Sequence, residues 1–191
     1  SAGQAHAETD LERLLRERLA AWNYTTPPAV EGTPTAAEIS ESVATTIFNA
    51  AITRITRAAF IDEADRIGHR PWGQPISKTL QWALLEPMRL GTYDAAIGDT
   101  VLWDDVSTSP TVETRDEIVL RAFVSLLAAM ETRFESPDLD TWRWGALHTL
   151  RLGSVLPVLG TDFALPVERS TTFPDGYPRH GDLWGVDASN F

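Results

Sequence analysis

The chain has 191 residues, 43% of them hydrophobic and 23% charged, which is the composition of an ordinary globular protein and excludes a disordered one. The formal net charge is −11 and the basic residues are scattered, which argues against nucleic-acid binding. The absence of cysteine excludes disulfides, thiolate zinc sites and cysteine nucleophiles, and no apolar run approaches the roughly 20 residues that span a bilayer.

The first predicted helix follows a polar start. Residues 1–8 are small and polar, and we expect them to be flexible. Thr9 and Glu12 have the spacing of a capping box, which predicts a helix that begins there. Apolar residues then recur at helical intervals and form one stripe over about three turns. They are Leu11, Leu14, Leu15, Leu19 and Trp22.

A long second helix is predicted after a loop over residues 24–34, which is rich in Thr, Pro and Gly. Thr35 and Glu38 repeat the capping-box spacing, and the pattern predicts a helix over residues 36–67 that Gly68 ends. Its predicted buried stripe contains Ile39, Val43, Ile47, Phe48, Ile52, Ile55, Ala59 and Phe60. A shorter helix is predicted over residues 77–88.

A further long helix is predicted to end at Phe134. Ser109 followed by Pro110 has the pattern of an N-cap with proline at the first helical position, so we expect the helix to begin there. Its apolar positions keep helical register: Ile118, Val119, Ala122, Phe123, Leu126, Leu127, Met130 and Phe134. We expect this helix and the helix over residues 36–67 to pack through their apolar stripes.

The character of the chain changes after Pro137, where glycine and proline recur every few residues. Short runs at 155–159, 163–167 and 183–186 predict strands. The predicted fold class is therefore mostly α with a smaller mixed α/β C-terminal part: a helical region over residues 9–135 and a mixed region over residues 136–191. We expect the last strand to complete a sheet with residues outside this chain.

Two motifs lie in the mixed region. The first combines Trp142, Trp144, Gly145 and His148 within a few residues, and the second begins at Gly181-Asp182. In an extended chain the two indoles would point to the same side, and each can bury roughly 150–250 Å².

The titratable residues allow more than one interpretation. His148 could donate a proton or contact substrate, but without a neighbouring serine or carboxylate of fixed geometry a half-buried histidine bonded to backbone is favoured. His180 and Asp182 could share a strand face as metal ligands, yet a metal needs at least three or four. The acidic clusters lack the spacing of a calcium loop and indicate solvated helix ends and loops. They comprise Asp62, Glu63, Asp65, Asp104 and Asp105.

The two motifs, in this order after a long helix, resemble the later part of the beta chain of the penicillin acylase family, where W-x-W-G-x-x-H precedes a glycine-aspartate strand. The resemblance covers essentially the whole chain. It implies a piece of an N-terminal nucleophile hydrolase with the αββα sandwich, small acyl amides as substrates and no cofactor. In that family, self-cleavage exposes a serine whose own α-amine acts as base, while an asparagine and backbone N–H groups hold the oxyanion.

The resemblance assigns no catalytic residue to this chain. Ser1 begins it, but a nucleophile of this family opens a buried strand, whereas a polar run follows Ser1. We therefore expect the nucleophile to lie outside the chain and the isolated chain to be inactive. The motif residues are then interpreted as structural. They are Trp142, Trp144, Gly145, His148, Gly181 and Asp182.

The same resemblance implies the partners and the setting. The partners would be the alpha chain and the rest of the beta chain. The compartment would be the periplasm or the cell exterior, and the role would be in antibiotic metabolism. A different class of function is also open: a self-standing helical protein-interaction module without catalysis, in which the tryptophan-rich segment forms the contact surface.

Overall fold

The computed structural model describes residues 9–66, 68, 103–108, 110–150 and 177–181. These residues are mostly helical, with little strand. The chain divides into two compact units, residues 1–48 with 136–191 and residues 49–135. Several predicted segments lie outside the described residues. They are the helix over 77–88, the strands over 155–159, 163–167 and 183–186, and the polar start over 1–8. The division in chain order at residues 135 and 136 stays a prediction.

None of the helices described is both long enough and apolar enough to cross a bilayer.

Helix α1, Asp10–Ala21, begins at the predicted capping box. The Glu12 N–H donates to the Thr9 hydroxyl at 3.2 Å, and the Thr9 N–H donates to the Glu12 carboxylate at 2.6 Å. Leu15 is buried, whereas Leu14 is 43% exposed. The buried face of α1 is therefore narrower than the leucine pattern indicates.

Helix α2, Ala36–Arg66, also starts and stops at the predicted signals. Thr35 and Glu38 exchange the capping hydrogen bonds at 2.7 and 3.2 Å. Gly68 follows the helix with φ of +69°, in the left-handed region that glycine adopts without strain. The predicted burial of Phe48 is wrong, because its side chain is 40% exposed and its ring lies against Trp22 at the surface.

Residues 42–47 of α2 are all buried. Because successive residues of a helix point about 100° apart, this run means that every face of α2 is covered here. Both threonine hydroxyl groups among them find acceptors in the preceding turn of the helix. Thr45 donates to the Glu41 carbonyl at 2.8 Å, and Thr46 donates to the Ser42 carbonyl at 3.2 Å. A stripe drawn through the apolar residues alone therefore understates the buried surface of α2.

Helix α3, Arg115–Phe134, begins later than predicted. The expected start at Ser109-Pro110 is wrong, because Thr114 is the N-cap and forms a complete capping box with Glu117 at 2.8 and 3.3 Å. That box gives hydrogen-bond partners to two backbone N–H groups. A proline at the first helical position only lacks one N–H group that would need a partner. Pro110 lies instead in an exposed turn.

The predicted register of α3 is confirmed by its buried residues, which recur at every fourth position. They are Ile118, Ala122, Leu126 and Met130. Ala59 of α2 and Ile118 of α3 pack with Trp103 in one core of the unit over residues 49–135, as expected for the two stripes. Arg54 of α2 also donates to the Ser125 hydroxyl of α3 at 3.2 Å.

A buried carboxylate joins α3 to the short 3-10 helix Val106–Thr108 before it. Glu113 is 2% exposed and accepts hydrogen bonds from Arg121 at 2.9 Å, from the Thr108 hydroxyl at 2.9 Å and from the Asp105 N–H at 3.2 Å. Burial pushes the pKa of Glu113 upward, but these hydrogen bonds outweigh burial and the pKa lies below its ordinary value. The carboxylate is therefore held in its charged form.

We predict that Glu113→Gln lowers the free energy of unfolding by roughly 1–3 kcal/mol at neutral pH, because glutamine loses the charge that pairs with Arg121. Since the folded-state pKa is depressed, this contribution is fully present above the ordinary glutamate value of about 4.3 and is lost as pH falls through the folded-state pKa. Urea unfolding of the unsubstituted protein and of Glu113→Gln should show that the difference in their free energies of unfolding becomes smaller at acidic pH. Glu131→Gln, on the exposed side of α3, should change stability at neutral pH by less than about 0.5 kcal/mol. If the loss of unfolding free energy in Glu113→Gln grew at acidic pH, the charged state described for Glu113 would be wrong.

Candidate functional site

Residues 141–148, here called the tryptophan motif, are not extended. They lie in and after two short 3-10 helices, Leu139–Thr141 and Trp144–Ala146. Trp142 and Trp144 are 0% and 3% exposed. The Trp142 indole N–H donates to the Ser136 carbonyl at 2.9 Å. Geometry derived from an extended chain therefore does not apply to the two indoles.

Gly145 lies where two backbones meet. Its N–H donates to the Pro28 carbonyl at 2.9 Å. A Cβ atom at this position would lie 2.6 Å from the Val30 side chain and 2.8 Å from the Pro28 oxygen. Because real Cβ atoms do not approach so closely, a residue larger than glycine cannot fit without moving the loop.

Ser42 connects α2 to the same point. Its buried hydroxyl accepts from the Trp144 N–H at 2.8 Å and donates to the Pro28 carbonyl at 3.1 Å. One hydroxyl thus joins a helix, a loop and the tryptophan motif. Sequence reasoning missed Ser42, and its signal would have been weak: a small polar residue next to Val43 within a predicted buried stripe.

Two arginines tie the motif to α1 and to the loop. Arg143 donates to the Ala29 carbonyl and to the Asp140 carbonyl, both at 3.0 Å. Arg18 of α1 pairs with the Asp140 carboxylate at 2.7 Å. The motif is therefore anchored on both sides, and the cationic groups of these arginines are engaged in holding it.

The structure brings the two sequence motifs together. The Trp144 indole N–H donates to the Gly181 carbonyl at 2.8 Å, and the Gly181 N–H donates to the Thr26 hydroxyl at 2.9 Å. Gly181 has φ of +106°, a left-handed conformation that favours glycine. Strands β1, Thr149–Leu150, and β2, Tyr177–Pro178, pair antiparallel beside this contact.

His148 is half-buried and fixed at two points. Its ring stacks on Trp144 with centroids 4.9 Å apart and planes at 15°. Its Nδ1 lies 3.0 Å from the Arg179 carbonyl oxygen, and the Arg179 N–H donates to the His148 carbonyl at 3.0 Å. A carbonyl can only accept, so Nδ1 carries the proton and Nε2 holds the lone pair of the neutral ring. Nε2 is therefore the atom that can accept a proton from another group.

The other candidate residues are placed as follows. His180 is exposed, while Asp182 and Ser1 lie outside the described residues. The Asp62 carboxylate accepts from the Val106 N–H at 2.9 Å. Over the ranges that the structure covers, no group of three or more His, Cys, Asp or Glu side chains could hold a metal ion.

Comparison with known proteins identifies the family. The penicillin amidase family model matches residues 2–191. The chain therefore belongs to the penicillin amidase family, a family of amide-hydrolysing acylases, as the two motifs predicted. No curated protein and no solved structure matches the chain.

We predict that Gly145→Ala destabilises the protein by roughly 2–4 kcal/mol, since the added methyl group displaces the Pro28 loop and weakens the hydrogen bond to it. Denaturant unfolding measures the loss. Ala146→Ser, at the exposed neighbouring position, is the control and should cost less than about 0.5 kcal/mol. Similar free energies of unfolding for the two variants would show that the Pro28 loop moves aside at little cost.

We predict that His148 is in the Nδ1–H tautomer when neutral, because its Nδ1 donates to the Arg179 carbonyl. Long-range 15N–1H correlation spectra distinguish the two tautomers, and the signals of His148 are those lost in His148→Gln. The exposed His180 provides an internal reference. Protonation of the neutral ring at Nε2 instead would rule out the hydrogen bond as described.

Proposed function

We propose that the chain is a scaffold or pocket-wall portion of a penicillin acylase-like amidase, which hydrolyses acyl amides through an N-terminal serine located outside this chain. The observation that carries the proposal is the family match over residues 2–191. The isolated chain is then inactive, and the enzyme is completed by an alpha chain and the rest of the beta chain. The fold of the complete enzyme is the αββα sandwich of N-terminal nucleophile hydrolases, and its location is the periplasm or the cell exterior.

In such an enzyme, the serine hydroxyl attacks the amide carbonyl while the α-amine of the same residue takes the proton. The C–N bond breaks, the amine leaves with that proton, and water hydrolyses the acyl-serine. Hydrogen-bond donors stabilise the negative oxygen of each tetrahedral intermediate.

The contacts of the tryptophan motif support the scaffold role. The backbone N–H groups of Trp144 and Gly145 are bonded to Ser42 and Pro28, so they are not free to donate to a substrate oxyanion. His148 is committed through Nδ1 and through its stacked face. These groups stabilise the fold, and the proposed reaction needs donors and a base elsewhere.

The test compares the isolated chain with the longer acylase of which we propose that it is a part. Both are assayed with chromogenic phenylacetyl and long-chain acyl amides. We expect hydrolysis by the complete protein and none by the isolated chain. Ser1→Ala in the complete protein should leave the rate unchanged, whereas alanine in place of the serine exposed by self-cleavage should abolish it.

Two results would contradict the proposal. Turnover by the isolated chain that disappears in Ser1→Ala would place the nucleophile at Ser1. A complete protein that lacks a self-cleavage junction and hydrolyses neither substrate would favour a helical interaction module without catalysis.

A further inference from the structure

Three aromatic side chains lie together on the surface of the unit formed by residues 1–48 and 136–191. The ring centroid of Trp22 lies 5.2 Å from that of Tyr24 and 5.3 Å from that of Phe48. Tyr24 is 80% exposed and Phe48 is 40% exposed. These three residues, here called the aromatic ledge, present contiguous aromatic side chains to solvent, and aromatic residues grouped on a surface are typical of binding sites.

The turn that presents Tyr24 has an unfavourable backbone. Tyr24 has φ of +70°, a left-handed conformation that bulky residues rarely adopt. Hydrogen bonds on either side hold it. The Thr25 N–H donates to the Asn23 side chain at 2.8 Å, and the Trp22 indole N–H donates to the Thr25 carbonyl at 2.7 Å. An aromatic residue kept in a strained and exposed position indicates a function for its ring.

Glu41 places a negative charge beside the aromatic ledge. Its carboxylate accepts from the N–H of Asn23, the residue between Trp22 and Tyr24, at 3.3 Å. Glu41 and Phe48 are seven residues apart on α2, about two turns, and so share one face of the helix. Among the residues that the structure describes, the Asn23 N–H is the one polar contact of this carboxylate, so no cation there neutralises its charge.

We propose that the aromatic ledge and Glu41 form a docking surface for an arginine side chain of a partner protein. A guanidinium group stacks on aromatic faces and pairs with a carboxylate, so the site offers both contacts that arginine makes best. The net charge of −11 also attracts a basic surface over a longer range.

The openness of the aromatic ledge favours a protein over a small molecule. Sites for small ligands are concave and bury most of the ligand surface, whereas the Tyr24 side chain is 80% exposed. A protein surface supplies the remaining contact area itself, and tyrosine, tryptophan and arginine dominate the energetics of such interfaces. The proposed interaction does not depend on the amidase activity.

The test titrates the full chain with two acetylated tripeptide amides, Ala-Arg-Ala and its neutral analogue with citrulline in place of arginine. The readout is the NMR signal of the Trp22 indole N–H, assigned by its loss in Trp22→Phe. We expect a saturable shift with the arginine peptide and about fivefold weaker binding of the citrulline peptide. Glu41→Gln, which can still accept from Asn23, and Tyr24→Gly, which suits the left-handed backbone, should each weaken binding of the arginine peptide about fivefold.

Tyr177→Leu is the matched control, because it removes a partly exposed ring of the same unit outside the aromatic ledge and should leave the affinity unchanged. Absence of a saturable shift, equal affinity for both peptides, or full affinity in Glu41→Gln would each overturn the proposal. So would concentration-dependent dimerisation that Tyr24→Gly abolishes, since the occupant would then be a second copy of the chain.

Discussion

The close approach of Gly145 to the Pro28 carbonyl is the constraint on which the unit around the tryptophan motif depends. That single carbonyl accepts from the Gly145 N–H and from the Ser42 hydroxyl, and the hydroxyl in turn accepts from the Trp144 N–H. Each buried donor is satisfied only while all three segments are in place. A buried donor left unpaired costs more than a typical hydrogen bond contributes, so the loss of one segment weakens the other two. Trp144, held in this way, can reach Gly181 with its indole N–H.

The sequence predicts the start of a helix correctly where one residue pair decides it. The Thr9 and Thr35 capping boxes set the starts of α1 and α2, since a cap satisfies backbone donors within a few residues. The start of α3 differs from the prediction because two capping signals compete and the complete box at Thr114 prevails. The position of Gly145 against Pro28 could not be predicted in this way, since the contact depends on a loop far away in the chain.

The residues that identify the family are, where described, residues that hold this unit together. Trp142 and Trp144 are buried, and Gly145 is the one residue type that fits its position. A sequence motif can thus be recognisable because packing limits which residues fit its positions, and not because its side chains take part in catalysis. The sequence therefore predicts the family, and for His148 it favours a half-buried ring bonded to backbone, which agrees with the contact to the Arg179 carbonyl. Only that contact defines which ring nitrogen carries the proton.

The unit that contains the tryptophan motif is discontinuous, since residues 1–48 and 136–191 contribute to it, whereas residues 49–135 form the other unit without interruption. During synthesis on the ribosome, the uninterrupted unit can gather its contacts soon after it emerges. Residues 1–48 must wait until the motif has been translated, and contacts such as that between Arg143 and Ala29 then close a long loop, which slows their formation. Throughout that interval the Ser42 hydroxyl and the Pro28 carbonyl lack the partners that Trp144 and Gly145 supply in the native state, so the nascent chain is most vulnerable to aggregation before the tryptophan motif has been translated.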